Sequence, residues 1–275
     1  MTVATLRGVL QPALEEGYAV AGLVCLGWED ARAYAMAADE AGVPVILQAG
    51  PGARAHMPIP VWAKMLRRLA EEANVPIVVH LDHGRSEEEA RTAIGEGFTS
   101  VMYDGSLDPL EKNIADTARI AELARKAGVS CEGEVGQVGY ADGAASHATD
   151  PADAARFVSE TGVDALAISV GNVHLQTDAE DGLDRAAVDR IASATDVPLV
   201  IHGGSGVPAP ERRQLAHETP ICKFNIGTEL RQVFGARLRA RLAEDTREFD
   251  RIKILAGLEP DLRAATLPIL KNLAR

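Results

Sequence analysis

Val78-Val79-His80-Leu81-Asp82-His83-Gly84 is an apolar run that stops abruptly in two histidines and an aspartate. A buried strand that ends this way presents metal-ligand and proton-transfer groups at the mouth of whatever encloses it. Two other apolar runs end alike: Ala165–Val170 leads to His174, and Pro198–Ile201 leads to His202. Four of the seven histidines therefore sit at or just beyond strand ends, far apart in sequence.

Outward from that stretch, short Val/Ile/Leu-rich runs alternate with longer Ala/Glu/Arg-rich segments of helical period. The spacing predicts strands at Tyr18–Cys25, Pro44–Gln48, Pro76–His80, Ser100–Asp104, Ser130–Val135, Ala165–Val170, Pro198–His202 and Cys222–Ile226. It predicts helices at Glu29–Ala41, Pro60–Ala73, Ser86–Glu96, Pro109–Ala127, Pro151–Thr161, Leu183–Ala194, Pro208–His217 and Glu229–Asp245, with a further helical segment closing the chain. Ala-Gly-Val (41–43 and 127–129) and Thr-Gly-Val (161–163) put glycine where a helix end needs a left-handed residue, and Val-Pro then opens strands at 43–44, 75–76 and 197–198. Strands buried on both faces with helices between them form a parallel sheet. An open sheet would string its polar strand ends along an edge. A closed barrel gathers them at one rim, and the α/β class with a single (β/α)8 TIM barrel over residues 1–275 follows.

Composition sets limits. The 275 residues are 47% hydrophobic and 25% charged, enough for a full core. Net charge is −12 without a lysine/arginine run, which argues against nucleic acid as a partner. No apolar segment approaches the roughly 18 residues that span a bilayer, and the N-terminus has no signal-peptide pattern. Cys25, Cys131 and Cys222 are widely spaced and odd in number, which fits buried reduced thiols in a cytoplasmic protein.

Three imidazoles from different strands make a site for a divalent ion, Zn2+ above all, with a position left for substrate. Spacing alone does not say whether His80 or His83 takes part. Asp82 suits a ligand, an orienting group or a general acid/base. Glu132 and Glu134 alternate onto one face of an apolar strand, where carboxylates are costly unless paired or used, and Asp104 is a similar case. His202-Gly203-Gly204-Ser205-Gly206 and Asn225-Ile226-Gly227-Thr228 follow the seventh and eighth strands, where small residues expose N–H groups that cradle an anion. His56, His147 and His217 read as ordinary histidines. Of six lysines none lies on the sixth strand, and Lys223, on the eighth, reads as paired or snorkelling, so metal replaces imine chemistry.

Taken together, these residues resemble the class II, zinc-dependent ketose-bisphosphate aldolases, the fructose- and tagatose-bisphosphate aldolase family. The resemblance rests on Gly17–Val20, Pro44–Leu47, His80-Leu81-Asp82-His83, Met102–Ser106, Glu132–Gly136, Gly171–His174, Pro198–Gly206 and Asn225–Glu229. It implies His83, His174 and His202 as zinc ligands, Asp82 as proton donor to the aldehyde oxygen, and Asp104 with Glu134 as an alternative metal position. Leu175, Gly203, Gly204, Ser205, Asn225, Ile226, Gly227 and Thr228 would hold the phosphate and hydroxyls of dihydroxyacetone phosphate. The implied reaction is reversible aldol cleavage of a ketose (bis)phosphate through a metal-stabilised enediolate. A monovalent cation (Na+ or K+), a phosphorylated-sugar substrate, no membrane or nucleic-acid partner, and a homodimer or homotetramer complete the implication.

Three departures stand out. Leu175 replaces the family's glycine after the sixth-strand histidine. Gly139-Tyr140-Ala141-Asp142-Gly143 places Ala141 where the family carries a proton-moving glutamate, with Asp142 next to it. Leu23-Val24-Cys25-Leu26-Gly27 replaces an asparagine-rich stretch and makes the pocket wall apolar. They leave a class II lyase retuned to another carbonyl donor, or a catalytically silent sugar-phosphate binder, as alternative readings.

Overall fold

Eight parallel strands form the centre of the computed structural model, which describes residues 2–141, 143, 146–176 and 182–275. They are β1 (Val20–Val24), β2 (Val45–Ala49), β3 (Ile77–Gly84), β4 (Ser100–Tyr103), β5 (Ser130–Val135), β6 (Ala165–Ile168), β7 (Leu199–Ile201) and β8 (Ile221–Ile226). Each pairs with the next in chain order, and Lys223–Ile226 of β8 returns to pair with Val20–Leu23 of β1. The sheet closes on itself as a (β/α)8 TIM barrel.

The helices are α1 (Leu6–Glu16), α2 (Trp28–Ala41), α3 (Pro51–His56), α4 (Ile59–Glu72), α5 (Glu87–Glu96), α6 (Leu110–Lys126), α7 (Pro151–Thr161), α8 (Arg185–Ala194), α9 (Ala209–Glu218), α10 (Thr228–Glu244), α11 (Arg251–Ala256) and α12 (Glu259–Leu273). Left-handed glycines end α2 and α7 at Gly42 and Gly162, as the Ala-Gly-Val and Thr-Gly-Val patterns predict. Three helices go beyond the sequence reading: α1, the short α3 and α11. The signal for α1 was present, since Leu6, Val9, Leu10 and Ala13 recur at helical spacing. The third strand also runs longer than expected, so Asp82 and His83 lie within β3 rather than after it.

Alternation along the strands divides the interior. Outward residues such as Leu23, Leu47, Val79 and Leu81 pack beneath the helices in the main core. Inward residues at the strand starts, Val20, Ile46, Val78, Ala165 and Val200, form a second apolar cluster against Leu6, Val9, Leu10 and Ala13 of α1. Helix α1 therefore plugs the N-terminal end, and the two-residue strand Val3–Ala4 pairs with Ile77–Val78 beside it. Toward the C-terminal end the inward residues become polar: Gln48, His80, Asp82, Glu132, Glu134, His202 and Asn225 are all buried.

Two local devices fix that polar end. The β7–β8 register slips after Leu199↔Ile221 to Val200↔Lys223, leaving Cys222 as the extra residue of a β-bulge. Lys223 thereby turns inward, fully buried, and donates to Glu132 Oε2 at 2.6 Å. Arg54 of α3 ties the tops of β2 and β3: it donates to the carbonyls of Ala49 and Asp82 at 2.5 Å and of His83 at 3.0 Å, and pairs with Glu89 at 2.7 Å.

Because the plug is remote from the polar rim, stability and chemistry separate. Leu10→Ala is expected to lower the free energy of unfolding by about 2–5 kcal/mol in chemical denaturation while divalent-metal affinity stays unchanged. A cost below about 1 kcal/mol would show that α1 does not close the barrel interior.

Candidate active site

The polar strand ends converge as barrel closure requires. One rim cavity of about 230 Å³ is lined by Asp82, His83, His174, Leu175, Gly203, Ser205, Asn225, Gly227 and Thr228. His202, Asp104 and Glu134 are buried beside that wall. Two predicted residues play a different part from their neighbours. Ile226 belongs to the outer apolar core, so its side chain faces the helices and only its backbone can serve the site. Gly204 is buried, and a Cβ there would lie 3.0 Å from the Asn225 carbonyl, so it packs the β7 loop closely on β8 and has only its backbone to offer a ligand.

Three imidazoles meet at the centre. The ring of His83 lies 4.6 Å from that of His202 and 5.6 Å from that of His174, centroid to centroid, with the His174 and His202 rings 5.6 Å apart. One ligand atom from each comes within 4.8 Å of the others, and His83, Asp104 and Glu134 form a second such group. His80, left open by the sequence, lies apart: it is fully buried between Ser100 Oγ (2.8 Å) and Lys223 Nζ (3.3 Å).

Two of the three clustered histidines are oriented by carboxylates. His83 Nδ1 lies 3.0 Å from Asp104 Oδ2, and His202 Nε2 lies 3.1 Å from Glu132 Oε1. The opposite nitrogen of each ring is thereby turned toward the centre, the arrangement by which outer carboxylates set a ligand's tautomer. His202 Nδ1 and Glu134 Oε2 are 3.2 Å apart and buried, yet neither makes an aligned hydrogen bond. Buried polar atoms are rarely left so. They aim at a shared point rather than at each other, and this donor set of imidazoles and carboxylates fits a divalent ion.

Electrostatics follow from burial and neighbours. Burial, then the nearby His202 and His83, lowers the His174 pKa to about 3, so its imidazole is neutral at neutral pH. Burial followed by Lys223 lowers His80 to about 3 as well. Burial opposes a charged His202, but the carboxylates of Glu132 and Glu134 override it and push the pKa up to about 10. Burial alone would raise Asp104, Glu132 and Asp82. His83 reverses this for Asp104 and Asp82, and Lys223 for Glu132, holding all three below the usual carboxylate range. Asn225 donates to Asp82 Oδ1 at 3.1 Å, fixing that carboxylate over the cavity.

The glycine loops form the opposite wall. Gly203 has φ 66°, and a Cβ there would sit 2.2 Å from the Val173 carbonyl, so no other residue fits. The hydroxyl of Ser205 accepts from the N–H groups of Gly227 and Glu229 at the start of α10, a helix N-terminus directed at the cavity. Among non-glycine residues described, only His83 (φ 99°) and Leu175 (φ 60°) have positive φ, and both line this cavity. Leu175 thus keeps the backbone that a glycine would adopt freely.

The departures are visible too. Val24 and Leu26 form the apolar wall that the strand-1 loop predicts, although Cys25 is buried away from it. The Ala141 N–H donates to the His174 carbonyl at 3.0 Å, so residue 141 stands beside the site with no side chain able to move a proton. Asp142 lies outside the described residues. The sequence reading missed Gln48, whose amide is buried with both atoms unpartnered, and Arg231. Gln48 obeys the same rule as the histidines, a polar residue ending an apolar strand. Arg231 is one helical turn after Thr228 and so shares its face.

The fructose-bisphosphate aldolase class-II family profile matches residues 4–273. The fructose-bisphosphate aldolase of Geobacillus stearothermophilus is 35% identical over 274 residues, covering 97% of this chain and 95% of its own length. That of Staphylococcus aureus (strain N315) is 36% identical over 264 residues, covering 93% and 91%. The crystal structure of the YdjI aldolase from Escherichia coli K12 superposes with a TM-score of 0.86 at 31% identity, covering 98% of this chain and 97% of that one. Similarity of this length, on a barrel whose rim brings together three histidines and a glycine cradle, makes the chain a member of the class II fructose-bisphosphate aldolase family, and so an aldolase, a lyase.

Proposed function

We propose that this aldolase reversibly cleaves a ketose phosphate or bisphosphate, with dihydroxyacetone phosphate as the donor half and Zn2+ held by His83, His174 and His202. The carrying observation is that these three ligand atoms meet within 4.8 Å of one another, in a cavity that also contains Asp82 and the glycine cradle. Asp104 and Glu134, which share His83 as a neighbour, supply an alternative position for the ion. Bound there, the ion supplies a Lewis acid that polarises the donor carbonyl and stabilises the negative charge developing as the carbon–carbon bond breaks.

The chain's own groups do the rest. Gly203, Gly204, Ser205 and the backbone of Ile226 to Thr228 hold the donor phosphate at the α10 N-terminus, with a monovalent cation (Na+ or K+) beside it near Leu175. Asp82, held as a carboxylate, takes the hydroxyl proton in cleavage and returns it to the aldehyde oxygen in condensation. Asn225 keeps it aimed. The apolar wall of Val24 and Leu26 supports an acceptor other than glyceraldehyde 3-phosphate.

The same reading includes a phosphorylated-sugar substrate and no nucleic-acid partner. No helix described is long and apolar enough to cross a membrane, and a cytoplasmic location is part of the proposal. A homodimer or homotetramer is supported by Phe249 (91% exposed) and Ile252 (77% exposed), apolar groups at and before α11.

Zinc-loaded protein incubated with dihydroxyacetone phosphate in D2O should lose the carbon-bound proton, followed by NMR, and His83→Ala should abolish that exchange. Asp82→Ala should keep zinc and exchange but lose net cleavage; loss of its metal would refute the assigned role. Binding without exchange would favour a silent binder, and absence of binding a different donor.

Below a pH of about 10 His202 keeps the second proton that an ion at Nδ1 must displace. Zinc uptake should therefore release about one proton at pH 7 and strengthen on the order of tenfold per pH unit through the neutral range. Calorimetry in two buffers of different ionisation enthalpy measures this, and zero release would exclude His202 Nδ1 as a ligand.

Leu175→Gly should raise stability by about 0.5–1 kcal/mol in denaturant melts, since it removes left-handed strain worth more than glycine's added chain entropy. A net loss of stability would show that the Leu175 side chain has a packing role.

A further inference from the structure

Val24-Cys25-Leu26-Gly27 joins β1 to α2 without a single oxygen- or nitrogen-bearing side chain. Gly27 stands at the N-cap of α2, where it has no side chain to hold the first turn. The loop is held from two sides instead. Cys25 N–H donates to the Gln48 carbonyl at 2.9 Å, which continues the β1–β2 ladder. Beyond it, Asp30 reaches back from the first turn of α2: Oδ2 accepts from Leu26 N–H at 2.7 Å, and Oδ1 accepts from the N–H groups of Gly27 at 2.8 Å and Ala31 at 3.1 Å. Burial raises the Asp30 pKa to about 6 against the pull of these N–H groups. At neutral pH the carboxylate is therefore ionised, and its bonds to the loop are charge-assisted.

What this clamp holds is Leu26. Cys25 is buried in the main core, whereas Leu26 is 39% exposed and lines two spaces at once. One is the rim cavity of about 230 Å³, and the other is an outer cavity of about 470 Å³. Trp28, Tyr34, Met57, Met65 and Phe234 wall the outer cavity, so it is apolar for much of its lining. Arg231 completes the partition from α10, and Leu26 is its apolar part. The rim cavity has to hold both halves of an aldol product. Its size leaves room there for a short acceptor only, and the larger space lies on the far side of Leu26.

We propose that Leu26 sets the chain length of the acceptor aldehyde, closing the rim cavity to long apolar tails, and that Asp30 is the positioning residue that keeps Leu26 in place. This deepens the aldol reading above, on which it rests: the acceptor is a short aldehyde, and the apolar space beyond Leu26 is shut off from the reacting carbon. Asp30 does so through the backbone of the loop and touches no substrate. Because the loop has no polar side chain of its own, that carboxylate is what stands between a fixed wall and a movable one.

The test uses straight-chain alkyl hydroxamates, from acetohydroxamate to octanohydroxamate, titrated by calorimetry into the full zinc-loaded chain. The hydroxamate chelates the ion whatever the donor, and its tail measures the room beyond. Wild-type affinity is expected to stop rising partway along the series. In Leu26→Ala it should keep rising, by about fourfold for each further CH2 that enters the outer cavity. Asp30→Ala should extend the series in the same direction, and Asp30→Asn, whose amide oxygen still accepts one N–H, should restore part of the wild-type cut-off. In condensation with dihydroxyacetone phosphate, Leu26→Ala and Asp30→Ala should raise kcat/KM for hexanal relative to propanal while the KM for dihydroxyacetone phosphate stays unchanged. Wild-type affinity that climbs along the whole series overturns the inference, as does a Leu26→Ala series that stops where wild type stops. An Asp30→Ala series with the wild-type cut-off overturns the positioning role and leaves Asp30 a helix cap alone. Failure of the donor reading is separate: it shows as absence of proton exchange in wild-type protein, while the hydroxamate series still decides the role of Leu26.

Discussion

At the centre of the barrel Glu132 stands between Lys223 and His202, with all three side chains fully buried. Taking an ammonium and a carboxylate out of water costs several kcal/mol per ion, and their attraction offsets this only when geometry and further hydrogen bonds are good. Here Lys223 fixes one carboxylate oxygen and leaves the other for His202, so the pair sets the direction of an imidazole as well as balancing charge. The direction of His202 Nδ1, the distance to Glu134 and the meeting of three rings all depend on it.

The rim stores its irregularity where that helps. Positive φ at His83 is held by Arg54, which takes up the carbonyls of Asp82 and His83. A histidine in that conformation is unfavourable locally and persists because the surrounding hydrogen bonds over-determine it. Leu175 has a smaller excuse, since its backbone follows the turn into the cradle while its side chain stays exposed. The opposite end is closed differently, by apolar packing of α1 against the strand starts.

Much of this was legible in the sequence, for physical reasons. Barrel strands are short, buried and separated by capped helices, so their number and order showed through periodicity and punctuation. Polar residues at strand ends marked His83, His174, His202, Asp82 and Asn225, because an apolar strand tolerates such groups only where they are used. What did not show was anything set by three-dimensional pairing. Arg54 sits on a short helix that the spacing does not predict, yet its side chain is 6% exposed and holds two strand ends. Arg231 looks like any helical charge until its place on the cavity wall is seen. Ile226 was swept in with its neighbours, although alternation sends its side chain outward. The resemblance to a family supplied roles, but it could not say that Leu175 would keep a glycine's backbone.

The bulge at Cys222 has a consequence of its own. On an unbroken strand inward and outward positions keep one parity, so Cys222 and Lys223 could not both face the axis. One extra residue reverses the parity halfway along β8, giving an apolar floor below it and a polar ceiling above it on the same strand. Lys223, Asn225 and the turn into α10 therefore share a phase that the lower half of β8 does not have. Removing a single residue near 222 would leave composition and strand length almost unchanged, yet it would exchange the side chains facing the rim cavity with those facing the helices.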